Sequence, residues 1–247
     1  MLATQTNTTA STSRLAGQVA IVTGSSRGLG AAIAKQLAAE GAIVAVNYVN
    51  GAEAAKAVVD EIERGGGRAH AFQADVAVRA QVFDLVDQVV KRWGRLDVLV
   101  NNSGVFTVSP LADVTEDDVD SLLAVNYKGT LWGIQAASTV LTSGGAIINL
   151  SSIGARLAAP AAVEVLTKTA AKELGPRGIR VNSVAPGVIE TDMADTLPAE
   201  FKATAKAQTP LEHRFGTAEE VAHTVAFLAS PQASWVTAQN IELAGGF

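Results

Sequence analysis

The first chemistry legible in the chain lies in the run Thr23-Gly24-Ser25-Ser26-Arg27-Gly28-Leu29-Gly30. Glycines at this spacing let backbone N–H groups come close to an anion, and a helix beginning there adds the positive end of its dipole. Phosphate binding is the chemistry implied. Gly24 permits a tight turn, Gly28 lets the backbone approach a pyrophosphate, and Gly30 lets a helix pack on the preceding strand. Ser26 and Leu29 stand in the same turn. Arg27 adds a cation that either meets a phosphate or is a solvated loop residue.

The turn needs a strand before it and a helix after it. Val19–Val22 is a short, β-branched apolar run suited to a strand buried on both faces, and Ala31–Leu37 reads as the helix. The same rhythm continues along the chain. Strands are expected at 43–48, 69–73, 98–100, 146–150, 179–184 and 240–243. Helices are expected at 52–62, 78–93, 122–141, 163–174 and 219–228. Alternation of this kind implies one doubly wound α/β (Rossmann) domain, a parallel sheet of about seven strands covered on both faces. The domain is expected to span 14–247, after a disordered polar tail at 1–13.

In such sheets ligands sit beyond the carboxyl ends of the strands, where the winding reverses. Polar clusters at 23–30, 47–50, 75–76, 101–104, 149–152 and 185–191 all follow strands, so one crevice should collect them. The second strand ends Val46-Asn47-Tyr48, without the carboxylate that would bind a ribose 2′-hydroxyl. A neutral strand end together with Arg27 points to NADP in preference to NAD.

Composition narrows the alternatives. Apolar residues make up 48% of the 247 positions and charged residues 17%, enough for a large core. The net charge of -5 offers no basic surface for nucleic acid. Absence of cysteine excludes thiolate catalysis and disulfides. His70, His213 and His223 show no metal-ligand spacing, so no metal is expected. No apolar run approaches membrane-spanning length.

The glycine turn, Asn101-Asn102-Ser103-Gly104, Asn126 and Pro186-Gly187 together resemble the short-chain dehydrogenase/reductase family over roughly Leu15 to Phe247, with its 3-oxoacyl-carrier-protein reductases nearest in pattern. The resemblance implies hydride transfer between a nicotinamide and a carbonyl or alcohol carbon. It places Asp75 and Val76 near the adenine, and Asn102, Ser103 and Gly104 near the ribose and nicotinamide. Pro186, Gly187, Ile189 and Thr191 would close over the nicotinamide. Asn126 fits the family's water-holding Asn, and Ser152, eight residues before Pro160, fits its substrate-binding Ser, with Ser151 as the alternative. Residues 192–210 resemble the family's substrate lid. A homotetramer or homodimer, a small-molecule partner and a cytoplasmic setting are implied in the same way.

The family also uses a Tyr and a Lys in a Tyr-x-x-x-Lys pattern shortly after the position of Pro160. Here the only tyrosines are Tyr48 and Tyr127, followed four residues on by Ala52 and Leu131. The chain runs from Pro160 straight into a stretch resembling what normally follows the Lys, and Lys168 and Lys172 lie too far along that helix to replace it. Smaller departures are Ser103, Ala238 and Ala244, where the family tends to have Ala, Gly and Asp. Two readings remain: an NADP(H)-dependent oxidoreductase, and a catalytically silent nucleotide-binding protein. A scaffold without nucleotide is disfavoured by the six clusters at strand ends.

Overall fold

The central apolar runs fold as parallel strands that are almost fully buried. The computed structural model of the chain describes residues 13–106, 111–153 and 159–247. The expected tail therefore lies outside the described residues, apart from Ser13. Seven strands pair in parallel in the order β3-β2-β1-β4-β5-β6-β7. They are β1 (Val19–Val22), β2 (Ile43–Tyr48), β3 (Arg68–Gln73), β4 (Val98–Asn101), β5 (Ala146–Leu150), β6 (Arg180–Pro186) and β7 (Asn240–Leu243). Winding reverses between β1 and β4, which is where a crevice opens in this class of sheet.

Alternate residues of each strand serve opposite core layers, as a period of two requires. Ala20, Val22, Val44 and Val46 face a layer completed by α1 (Gly28–Ala39), α2 (Ala52–Arg64) and α9 (Ala218–Ala229). Val19, Ile21, Ala45, Leu99 and Ile147 face the other, completed by α3 (Arg79–Trp93), α5 (Gly129–Ser138) and α6 (Ala159–Leu174). Arg180 is buried without a carboxylate partner among the described residues. Its guanidinium instead donates to the carbonyls of Leu228, Ala229 and Ser230 at the C-terminus of α9, where the helix dipole favours a cation.

One expected helix is broken. The stretch 122–141 divides into α4 (Glu116–Leu122), a π-helical turn at Leu123–Lys128, and α5. Thr115 and Asp118 form a capping box that starts α4 six residues earlier than apolar spacing suggests. Acidic Glu116, Asp117 and Asp118 carry no apolar period, so the start was invisible to a periodicity argument. The segment between β6 and α9 holds two short helices, α7 (Asp192–Asp195) and α8 (Ala199–Gln208). Its two legs meet in a parallel bridge: Glu190 N–H donates to the Gly216 carbonyl at 2.9 Å and Gly216 N–H to that of Val188 at 3.1 Å.

Candidate active site

The glycine turn is built by contacts that tolerate no side chain. A Cβ on Gly30 would lie 2.4 Å from the Gly24 carbonyl oxygen and 2.5 Å from Asn102 Nδ2. Gly24 has φ +61°, and a Cβ there would lie 2.8 Å from Ser103 Oγ. Gly28 has φ +54°, but its Cβ would meet nothing closer than Thr191 Cγ2 at 3.9 Å. Gly24 and Gly30 are therefore fixed by packing, whereas Gly28 combines a left-handed backbone with open space above it. That open cradle at the start of α1 fits a pyrophosphate.

Thr23 organises the floor beside it. Its Oγ1 accepts from the N–H groups of Asn102 and Ser103 at 2.9 and 3.0 Å. Asn102 Nδ2 returns to the carbonyls of Thr23 and Gly24 at 2.8 and 3.2 Å. The ends of β1 and β4 are thus one hydrogen-bonded unit. Neither Thr23 nor Ser25 stood out as a site residue in the sequence, although both lie inside the glycine motif. Ser25 Oγ donates to the Val22 carbonyl at 2.7 Å and accepts from Asn47 N–H at 3.0 Å.

Asn47 corrects an expectation. Read as a cofactor contact, it is fully buried. Its Oδ1 accepts from Gly24 N–H at 3.1 Å, and its Nδ2 donates to the carbonyls of Ala74 and Phe72 at 3.0 and 3.3 Å. The amide is consumed in latching the glycine turn to β2 and β3, so it has nothing left to offer a ligand. Its neighbour Tyr48 is half-buried against the core. Val76 and Ile189 also turn their side chains into the core, so any contact they make with a nucleotide is through the main chain. Asp75 is half-buried; its Oδ1 accepts from Ala77 N–H at 2.9 Å.

The other expected residues do converge. Thr191 faces Gly28, Ser103 faces Gly24, and Gly104 lies with its Cβ direction 3.6 Å from Asn126 Oδ1. Gly187 N–H donates to the Leu243 carbonyl, and Gly187 packs against Ala244, fixing the Pro186 end of β6 beside β7. Arg27 and Ser26 line a depression of about 340 Å³ beside the turn, with Lys35 of α1 and Glu61 of α2. Lys35 pairs with Glu61, and Glu219 shares the rim. Among the described residues Arg27 is an exposed cation with no ion-pair partner there. Leu29, behind it, is half-buried against the core.

At the reaction end amides and hydroxyls surround one carboxylate, Glu164. Asn126 sits in the π-helical turn, a device common at functional sites because it re-aims a residue without ending the helix. Its amide accepts from Val105 N–H at 2.8 Å and donates to the Val105 carbonyl at 2.9 Å. Beneath it runs a buried polar chain: Asn101 Nδ2 donates to Asn149 Oδ1, and Asn149 Nδ2 to Thr167 Oγ1, each at 2.9 Å. This ties β4, β5 and α6 together, and its sequence signal was two asparagines closing adjacent apolar strands. Ser151 and Ser152 follow β5, both half-buried. Ser151 Oγ donates to Glu164 Oε1 at 3.2 Å, and Ser151 N–H to the Val184 carbonyl at 2.7 Å.

The model of a family described as enoyl-(acyl carrier protein) reductase matches residues 24–247. A 3-oxoacyl-[acyl-carrier-protein] reductase, FabG, of Staphylococcus aureus is 45% identical over 238 residues, covering 92% of this chain and 96% of that one. A dehydrogenase/reductase from Sinorhizobium meliloti superposes with a TM-score of 0.90 at 42% identity, covering 95% of this chain and 96% of that one. A short-chain dehydrogenase from Burkholderia cenocepacia, solved in complex with NADP, gives 0.88 at 42% identity, covering 94% and 98%. The chain belongs to the short-chain dehydrogenase/reductase family. As a member of it, this short-chain dehydrogenase/reductase is a nicotinamide-dependent oxidoreductase acting on a small molecule. A catalytically silent role finds no support among these relatives, whose names are those of reductases and dehydrogenases.

Proposed function

We propose that this short-chain dehydrogenase/reductase is an NADP(H)-dependent carbonyl reductase, with a 3-oxoacyl thioester as the first substrate class to try. The observation that carries the cofactor choice is Arg27, an exposed cation at the N-terminus of α1 beside a strand end that holds no carboxylate. When bound, the cofactor supplies hydride at its nicotinamide. Gly28 and the first turn of α1 would hold the pyrophosphate, Arg27 a 2′-phosphate, and Asp75 the adenosine end. Asn102, Ser103, Gly104 and the 186–191 segment would bracket the nicotinamide side. Ser152 or Ser151 would hold the substrate oxygen, and Asn126 a water behind it.

The segment 192–210 supports a partly apolar substrate, since Met193 and Phe201 are exposed on it. A homo-oligomer is supported by Trp235, which is 98% exposed near the open β7 edge, and by Phe227 and Phe247. Among the described residues no helix is long and apolar enough to cross a membrane, and a cytoplasmic setting is proposed by likeness to FabG.

Arg27→Ala tests the cofactor reading. The Kd for NADPH should rise roughly ten- to hundredfold, the loss of one charge-assisted contact, while that for NADH stays within a factor of two or so. Equal weakening of both nucleotides would show that Arg27 does not read the 2′-phosphate.

A further inference from the structure

A carbonyl reduction needs a proton as well as a hydride, and the chain has no Tyr-x-x-x-Lys to supply it. Across the described ends of β4 and β5 (98–106 and 146–153) and the first two turns of α6 (159–166), Glu164 is the single titratable side chain. It does not point into solvent alone. Its Oε1 accepts the Ser151 hydroxyl at 3.2 Å. One turn further along the same face, Thr167 accepts from Asn149 at 2.9 Å, and Val163 is buried, so this face of α6 is docked on β5 at two levels. We propose that Ser151 and Glu164 are the proton-transfer pair of this crevice, with Ser151 touching the substrate oxygen and Glu164 acting behind it.

The balance is as follows. In alcohol oxidation the substrate O–H proton passes to Ser151 Oγ as the Ser151 proton passes to the Glu164 carboxylate. The C–H bond breaks as its hydride leaves to the oxidised nicotinamide, giving carbonyl, reduced nicotinamide and a protonated Glu164, which returns its proton to water. Reduction is the reverse: the Glu164 carboxylic acid re-protonates Ser151 as the Ser151 hydroxyl proton goes to the new alkoxide. Ser151 is a catalytic residue in this scheme, and Glu164 is a positioning and proton-storing residue acting through it.

The inference rests on the proposed oxidoreductase activity, so the experiment separates the two. The full chain is assayed with NADPH and an acetoacetyl thioester, and thermal melts with and without NADPH report folding and nucleotide binding independently of turnover. Glu164→Gln should keep the melting point and its NADPH shift but lower kcat about 100- to 1,000-fold with KM little changed. Added formate should restore part of the turnover of Glu164→Ala in proportion to its concentration, and none to a Glu164→Ala/Ser151→Ala double variant. Unchanged kcat in folded, NADPH-binding Glu164→Gln overturns the inference, as does loss of turnover in Tyr127→Phe with Glu164→Gln unaffected. A wild-type protein that binds NADPH yet turns nothing over overturns the inference and leaves the nucleotide site standing. One that shows no NADPH shift removes the proposed function with it.

Discussion

The two ends of the crevice are built differently. At the nucleotide end, Thr23, Gly24, Asn47 and Asn102 interlock through backbone and amide bonds of 2.8 to 3.2 Å, and Gly30 leaves no room for a methyl group. At the reaction end, Asn126 is held on one backbone unit of Val105, which is itself exposed, and Ser151 by its N–H on the Val184 carbonyl and its hydroxyl on a carboxylate of α6. A phosphate site serves the same ligand whatever the substrate, so it gains from being fixed before binding. A reaction end assembled from loop residues and a π-helical turn varies with the substrate it must take.

This contrast can be broken most sharply at Gly30. Gly30→Ala must displace backbone on two sides, and a cost of about 3 kcal/mol with loss of the NADPH thermal shift is expected. A variant that melts like the wild type and still binds would show that the nucleotide end is more compliant than its contacts imply. Asn47→Asp comes next. In many dinucleotide sites an acid at the strand end confers NAD preference, but here it would bury a carboxylate against the carbonyls of Phe72 and Ala74. The expected outcome is destabilisation by about 3 kcal/mol and no gain in NADH affinity by titration. Improved NADH binding would mean that position 47 reaches the ribose after all.

The smallest effect belongs to the ion pair that follows α8. Arg214 donates to both carboxylate oxygens of Glu220, and that contact, helped by Thr217 N–H, lowers the Glu220 carboxyl to about 2. A folded-state value below the unfolded one stabilises above about pH 4.5, and the contribution is lost as pH falls toward 2. Both groups are solvent-exposed, so screening keeps the gain slight. Melting curves of the wild type and Glu220→Gln should converge at low pH and separate by a small margin near neutrality; a constant separation would remove the ion pair as the cause.

Much of the frame was legible in the sequence. Strands at 19–22, 43–48 and 146–150 fall where apolar runs bounded by polar clusters place them, because a strand buried on both faces needs such a run. Helix starts were less legible: α4 begins at a capping box rather than at an apolar residue, and the π-helical turn divides what the spacing reads as one helix. At the site, spacing located the glycines, and the family resemblance pointed to Ser103 and Thr191, which face them. It misjudged Asn47, because a polar residue at a strand end reads as pointing outward when its amide is in fact satisfied inward by three neighbouring backbone groups. The Ser151–Glu164 contact joins positions 13 residues apart across a loop, and no periodicity reports it.

The bridge between Ile189 and Gly216 closes off the stretch that carries α7 and α8 from the frame on which it sits. Its reciprocal backbone bonds pin both ends of the intervening stretch, and Leu211 N–H adds a third tie to the Gly245 carbonyl, so α7 and α8 hang between fixed points of the frame. On the proposed reading of this stretch as the substrate lid, residues 191–215 of a relative can be transplanted between the same two bridge residues to alter selectivity.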